Sequence, residues 1–203
     1  MQQKTFYQSI EKKGQAEFKD RGSKFIGYAF PVADPAEFKE ELGHIRKAHP
    51  KASHFCFAYR IGADGAQFRS NDDGEPSGSA GKPILGQIDS KELTNTAVVV
   101  VRYFGGSLLG VPGLINAYKT CTSLVLQTVP IVQKPVERIC RLQFDYTLMN
   151  EVMMILRSCN CSIIKQEVQL FCLFTIGIPL NRLDEVLYRF RDLHQVELEM
   201  VQS

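Results

Sequence analysis

Residues 96–113 read Thr-Ala-Val-Val-Val-Val-Arg-Tyr-Phe-Gly-Gly-Ser-Leu-Leu-Gly-Val-Pro-Gly. The run from Thr96 to Phe104 is β-branched and apolar on both faces, which predicts a central strand covered on both sides. Gly105 and Gly106 break it. A helix is expected from about Pro112 to Gln127. Working backward, Lys24 to Val32 reads as a strand. Asp34-Pro35-Ala36-Glu37 reads as a helix start, with Asp34 as cap, Pro35 in the first turn and Glu37 completing a capping box. Phe38, Leu42 and Ile45 follow at helical spacing, and Pro50 ends the helix. His54 to Ile61 alternates as a strand, with Phe55, Phe57, Tyr59 and Ile61 on one face. Gly62–Gly65 turns it into a short partner, Ala66–Arg69. Residues 71–83 are a polar Gly/Pro-rich loop running into a helix near Pro83.

Forward of the quoted stretch, Val129–Pro135 is a proline-bounded linker and marks a boundary between domains at 1–130 and 131–203. The pattern then restarts: strand Val136–Tyr146, a helix carrying Met149, Val152, Met153 and Leu156, strands Cys161–Val168 and Leu170–Ile178, a helix from Asn181, and strand Val196–Val201. That order, βαββαβ, is ferredoxin-like. The expected fold class is α/β (α+β) followed by a ferredoxin-like α+β domain.

The chain has 203 residues, 44% hydrophobic and 23% charged, with 24 Lys and Arg against 22 Asp and Glu. These proportions suit a packed globular chain and exclude a collagen-like, disordered or bulk-polybasic protein. Residues 1–130 carry 16 basic and 13 acidic side chains, residues 131–203 carry 8 and 9, so a polyanion contact would favour the first domain. The N-terminus has no apolar signal core and no run reaches the ~18 residues of a membrane span, so a cytoplasmic protein without a membrane contact is expected. The six cysteines lie in apolar segments and read as reduced thiols.

Two constellations bear on function. In the first, Gly105, Gly106, Gly110 and Gly113 permit close backbone approach, a helix start offers free N–H groups to an anion, and Arg102 adds a charge-assisted donor. The blander reading is a tight turn with Arg102 paired to a carboxylate. The spacing is neither a P-loop nor a dinucleotide fingerprint. Tyr103, Phe104 and Tyr118 would stack on bases or else belong to the core. The second constellation is Asp72-Asp73-Gly74-Glu75-Pro76-Ser77-Gly78-Ser79-Ala80-Gly81-Lys82-Pro83. Three carboxylates in four residues suit a hard cation, but the EF-hand spacing is absent, and a turn with Ser77 or Ser79 capping a helix is favoured. Ser79 to Lys82 spells S-x-x-K without the partner motifs of a β-lactamase. His44, His49 and His54 do not share a helix face, and Cys159-Asn160-Cys161 supplies too few ligands for zinc. No catalytic residue, metal or cofactor is assigned.

Taken together, Arg21-Gly-Ser-Lys-Phe-Ile26, Ser53-His54 with Ala58-Tyr59-Arg60, residues 72–83, residues 98–110 and Gly113-Leu-Ile-Asn-Ala-Tyr118 resemble the IMPACT family, in its bacterial two-domain, YigZ-type form. The resemblance covers roughly residues 20–128. It implies a first domain with the fold of the second domain of a small-subunit ribosomal protein and of the fourth domain of elongation factor G. It also implies a tail like that factor's fifth domain. The implied role is a non-enzymatic regulator associated with translation, with RNA, the ribosome, a translation factor or another protein as partner. Eukaryotic members regulate translation by competing for the activator of an initiation-factor kinase and carry an extra N-terminal interaction domain. With only about 20 residues before the shared segment, that role is not expected to carry over intact. The expected contact surface is Arg102, Gly105, Gly106 and Gly110, flanked by Lys82 and Arg69, with Asp72, Asp73 and Glu75 ordering the loop. Ser77, Ser79, Tyr103, Phe104 and Asn116 complete it. Asn116 stands where a basic residue is common in similar proteins, and Leu108 and Leu109 make the turn more apolar, which weakens a phosphate cradle and leaves a protein-binding surface. The rival readings are a metal-assisted hydrolase using the acidic loop and a purely protein-binding module.

Overall fold

The computed structural model describes residues 4–193 and 195–201. They form two compact units, one spanning Tyr7–Lys134 and the other built mainly from Pro135 onward.

In the first unit, β2 (Gly14–Asp20), β3 (Ser23–Pro31), β4 (His54–Ile61), β5 (Gln67–Asn71) and β6 (Thr96–Tyr103) make one antiparallel sheet in the order β2-β3-β6-β4-β5. The strand quoted above, β6, is at its centre, and Ala97 to Val101 are fully buried. Strand alternation sends Val98 and Val100 to one face, where α2 (Gly81–Ser90) and α3 (Gly110–Gln127) pack through Ile84, Ile88 and Tyr118. Val99 and Val101 face the other side, where α1 (Pro35–Ala48) packs through Phe38 and Ile45. The start of α1 forms as its sequence requires. The Asp34 carboxylate accepts from the N–H groups of Ala36 and Glu37 at 2.8 and 2.9 Å, and Glu37 reaches back to the N–H of Ala33 at 2.7 Å.

Four elements differ from the sequence reading. Strands begin before Lys24: β1 (Phe6–Ile10) and the edge strand β2 precede β3. In β2 the polar Gln15, Glu17 and Lys19 alternate with half-buried Gly14, Ala16 and Phe18, a pattern too polar to stand out. The proline-bounded linker is itself a strand, β7 (Ile131–Pro135), paired with β1. Each strand of the pair is only five residues long, too short for an alternation to stand out in the sequence. Helix α3 starts at Gly110, two residues before Pro112.

In the second unit β8 (Glu137–Asp145), α4 (Met149–Ser158), β9 (Ser162–Val168), β10 (Phe171–Pro179), α5 (Leu183–Arg191) and β11 (Val196–Met200) follow the βαββαβ order. The sheet runs β11-β8-β10-β9, with Leu142 of β8 opposite both Phe174 and Leu198. Short 3-10 turns lead into α4 and α5. Cys140, Leu142, Phe144, Phe174 and Ile176 bury one sheet face against Val152, Leu156, Val186 and Phe190. The whole is a two-unit α+β fold with antiparallel main sheets.

Replacing the α1 cap, Asp34→Ala, is expected to cost about 1 kcal/mol in urea denaturation, while Asp34→Ser should recover most of it. Equal stability of all three proteins would contradict the capping role.

Candidate functional site

Arg102 is the last even-numbered residue of β6, so it points to the α2/α3 face, where its side chain is buried. A buried guanidinium requires a partner, and Glu75 supplies it. Arg102 Nη1 donates to Glu75 Oε1 at 2.6 Å, and the Tyr118 hydroxyl donates to the same oxygen at 2.7 Å. Arg102 Nη2 reaches Ser23 Oγ at 3.3 Å. The guanidinium carbon lies 5.5 Å from the ring centroids of both Phe25 and Phe104. The pairing of Arg102 with a carboxylate of the acidic loop, one of the readings of the sequence, is thus present. It draws together the loop, β6, α3 and the start of β3.

Around this pair most polar groups are partnered, Arg102 Nε excepted. His54 faces Arg102 across the β4–β6 ladder. Its Nδ1 donates to the Asp73 carbonyl at 2.8 Å, and its Nε2 stands 4.0 Å from Glu75 Oε1. The Cys56 thiol lies 3.0 Å from the Asp72 carbonyl and 3.2 Å from the Tyr118 hydroxyl, so its one S–H can serve either. Burial pushes that thiol well above its ordinary range, against the opposing effect of its hydrogen bond with Tyr118. It is a neutral core group beside His54, not a thiolate nucleophile. Burial likewise raises Tyr118.

The loop carboxylates are internal acceptors. Asp72 takes the N–H groups of Gly78, Ala80 and Gly81 at 2.9, 3.0 and 2.8 Å. Burial raises its pKa, but the three N–H donors and Lys82 outweigh that and hold it below the usual carboxylate range. Asp72, from outside the helix, therefore caps α2. The expected caps do not: Ser79 Oγ donates to the Pro76 carbonyl at 2.6 Å, and Ser77 is exposed. The physical reason is charge, since a carboxylate matches the two N–H groups at the helix start, Ala80 and Gly81, together with Gly78 of the loop before it, better than a hydroxyl does. Asp73 accepts from Phe55 N–H at 2.7 Å and from Arg46 at 2.9 Å. Among the described residues no group of three or more His, Cys, Asp or Glu side chains is placed to hold a metal ion.

Two close approaches explain glycines in the motif. A Cβ at Gly105 would sit 1.9 Å from the Gly22 backbone, and one at Gly81 would sit 2.7 Å from Asn71 N. Gly106 and Gly110 hold φ of +86° and +71°, conformations that favour glycine.

The expected surface is only partly assembled. Phe104, Gly105 and Gly106 form an exposed rim over the buried pair, with Leu108 beyond them. Arg102 itself is beneath that rim and not at the surface. Tyr103 is one residue out of phase and turns to the opposite face of the sheet, where its hydroxyl meets His49 Nδ1 at 2.8 Å. The three aromatics, read as a stacking platform or as core, are therefore separated: Tyr118 in the core, Tyr103 on the α1 face, Phe104 exposed. Arg69 also lies on the α1 face, opposite Tyr59 on β4, away from Arg102. Lys82 and Asn116 are exposed on α2 and α3. Ser23, although it lies in the quoted Arg21–Ile26 segment, and Cys56 were not assigned to the site, because only the strand register shows what they meet.

Residues 21–126 match the Impact N-terminal domain. The chain is 38% identical over 146 residues to IMPACT family member YvyE of Bacillus subtilis, covering 72% of this chain and 67% of that one. It is 33% identical over 181 residues to IMPACT family member YigZ of Escherichia coli, covering 88% and 89%. Protein IMPACT of Homo sapiens is 32% identical over 123 residues, 58% of this chain but 38% of its own length. A solved structure described as the crystal structure of an hypothetical protein superposes on 99% of this chain and 100% of its own, with TM-score 0.77 at 28% identity. The chain belongs to the IMPACT family. Among the described residues no helix is long and apolar enough to cross a membrane.

Arg102→Met leaves Glu75 a buried unpaired charge and should cost about 3–5 kcal/mol in urea denaturation. Tyr118→Phe removes one hydrogen bond to that carboxylate and should cost about 1.5–3 kcal/mol. A neutral effect of Arg102→Met would show that the pair is not structural.

Because the pKa of Asp72 is depressed by folding, its contribution to stability is complete above about pH 4 and is lost as the pH falls through its folded value. Asp72→Asn should flatten the acid limb of a stability–pH curve. An unchanged limb would remove Asp72 from the account.

Proposed function

We propose that the protein is a non-enzymatic regulator associated with translation, which binds the ribosome or a translation-factor partner through the Gly-rich rim. One observation carries this reading. The buried Glu75–Arg102–Tyr118 network locks two Gly-rich segments together and leaves apolar side chains outside, with Phe104 49% and Leu108 85% exposed. Isolated exposed apolar residues are ordinary, but two of them flanking a rigid Gly-Gly turn suit contact with a macromolecular surface. The family supports the setting, since the resemblance implies an elongation-factor-like pair of domains. The apolar character of the rim favours a protein surface over bare RNA phosphates. The rival hydrolase draws no support from the acidic loop, whose carboxylates already accept from backbone N–H groups and arginines.

Co-sedimentation with purified ribosomes at low and moderate salt tests the reading. Charge reversal at Arg102 cannot serve, because it would place two carboxylates together in the core and test folding instead. Leu108→Asp changes an exposed side chain, and Phe104→Ala trims a half-exposed ring without placing a carboxylate beside Arg102; both should keep the fold, checked by thermal melting, while lowering ribosome retention. Retention of the variants equal to the wild type would overturn the assigned surface. Binding that survives nuclease treatment points to a protein contact. Binding lost with nuclease and falling steeply with salt points to RNA.

A further inference from the structure

The α1 face holds a second surface, independent of the rim. α1 covers β3, β6 and β4 but leaves the edge strand β5 open, and a groove of about 610 Å³ runs between α1 and the β4–β5 hairpin. Its floor is Phe38, Phe57 and Tyr59. Its walls carry Lys39 on α1 and Arg69 on β5. Arg46 and Asp73, paired at 2.9 Å, also line it. Among the described residues neither Lys39 nor Arg69 has an ion-pair partner within 4.0 Å, so the groove keeps uncompensated positive charge. Gly43, also in the wall, is a helix-interior glycine whose Cβ would meet nothing within 4 Å. Glycine there lowers helix stability relative to alanine and no packing among the described residues requires it.

β5 is bonded to β4 on one side, so alternate N–H and C=O groups of Gln67–Asn71 point outward from the sheet. Its side chains also alternate. Arg69 is on the α1 face, while Phe68, 57% exposed, is on the other, under the Arg60 guanidinium at 4.9 Å. A strand added here would place every second side chain beside Arg69 and Lys39 and the intervening ones beside Phe68.

We infer that the groove between α1 and β5 takes an extended peptide segment of a protein partner, with acidic residues alternating with apolar ones, seated as a sixth strand on β5. Main-chain hydrogen bonds supply affinity. The cations on one face and Phe68 on the other select the alternation.

The probe is a fluorescein-labelled heptapeptide, Val-Glu-Val-Glu-Val-Glu-Val, titrated with the full chain by anisotropy. Its binding should weaken about tenfold in Arg69→Glu and should fall with added salt. Gly43→Leu should raise or preserve thermal stability yet block binding, which separates occupancy of the groove from loss of fold. N-methylation of alternate peptide nitrogens keeps the charge but removes strand pairing and should abolish binding. Hydrogen exchange should slow at residues 67–71 when the peptide is bound. The inference fails if the probe does not bind at millimolar concentration, if the N-methylated or a block-sequence peptide of equal charge binds as well, or if Gly43→Leu binds like the wild type. It fails equally if the groove takes single-stranded RNA in place of the peptide. Concentration-dependent self-association abolished by Gly43→Leu would give the groove to a second copy and also overturn it. Loss of the Phe104 and Leu108 effects on ribosome retention would leave this result untouched, since those residues are on neither wall.

Discussion

One carboxylate oxygen, Glu75 Oε1, accepts from both Arg102 and Tyr118, and the arrangement of the first unit around β6 depends on it. Three segments distant in sequence meet there: the polar loop, the end of the central strand and the middle of α3. Burying an ion pair gains little net stability over an apolar replacement, because desolvation offsets the Coulomb attraction. Its effect is on specificity of arrangement. With Arg102 buried, the loop must deliver a carboxylate to one point, and alternative loop conformations leave a charge unpaired. The match is not complete, since Arg102 Nε finds no acceptor among the described residues. The flanking rings of Phe25 and Phe104 offset part of that cost through cation–π attraction.

The acidic loop then reads as a chain of internal acceptors. Asn71 Oδ1 takes the N–H of Asp73 at 2.7 Å, Asp72 takes three N–H groups, and Asp73 takes one more across to β4. The backbone can make this winding because Asp73 and Gly74 adopt φ of +43° and +88°. Aspartate tolerates that region better than most residues, and glycine adopts it freely. A density of carboxylates that resembles a cation site in one dimension is here a substitute for regular secondary structure. Each group pays for the orphaned donors of a turn and of a helix start.

Legibility followed periodicity. The alternation in His54–Ile61, the β-branched run of β6 and the βαββαβ pattern of the second unit are strong local signals, and each element formed within one or two residues of its expected ends. The α1 cap was readable because its donors and acceptors lie within four residues of one another. β2 and β7 were not, because half-exposed edge strands carry polar residues that look like linker. At the site, the partnership of Arg102 with the loop was one of two open readings, and side-chain phase alone could have separated Arg102 from Tyr103. That Ser23, His54 and Cys56 join the network depends on register between strands far apart in sequence, which no local pattern contains.

Strand alternation at the end of β6 also divides the molecule's polar chemistry in two. Arg102 commits its charge to the interior on the α2/α3 face, so the rim above it is left apolar and uncharged. Tyr103, one residue on, serves the α1 face, where His49 bridges it to Tyr28 at 2.7 Å. Among the described residues the spare cations of that face, Lys39 and Arg69, are not drawn into any such network. The net excess of three positive charges in residues 1–130 is therefore a poor guide to where an anion would bind. One of the two motif cations is neutralised in the core, and uncompensated charge sits instead beside an open strand edge. Selectivity for an acidic partner would then come from the hairpin and α1, and selectivity for an apolar one from the Gly-rich turn. Both would be read by a single sheet whose opposite faces are set by the phase of one strand.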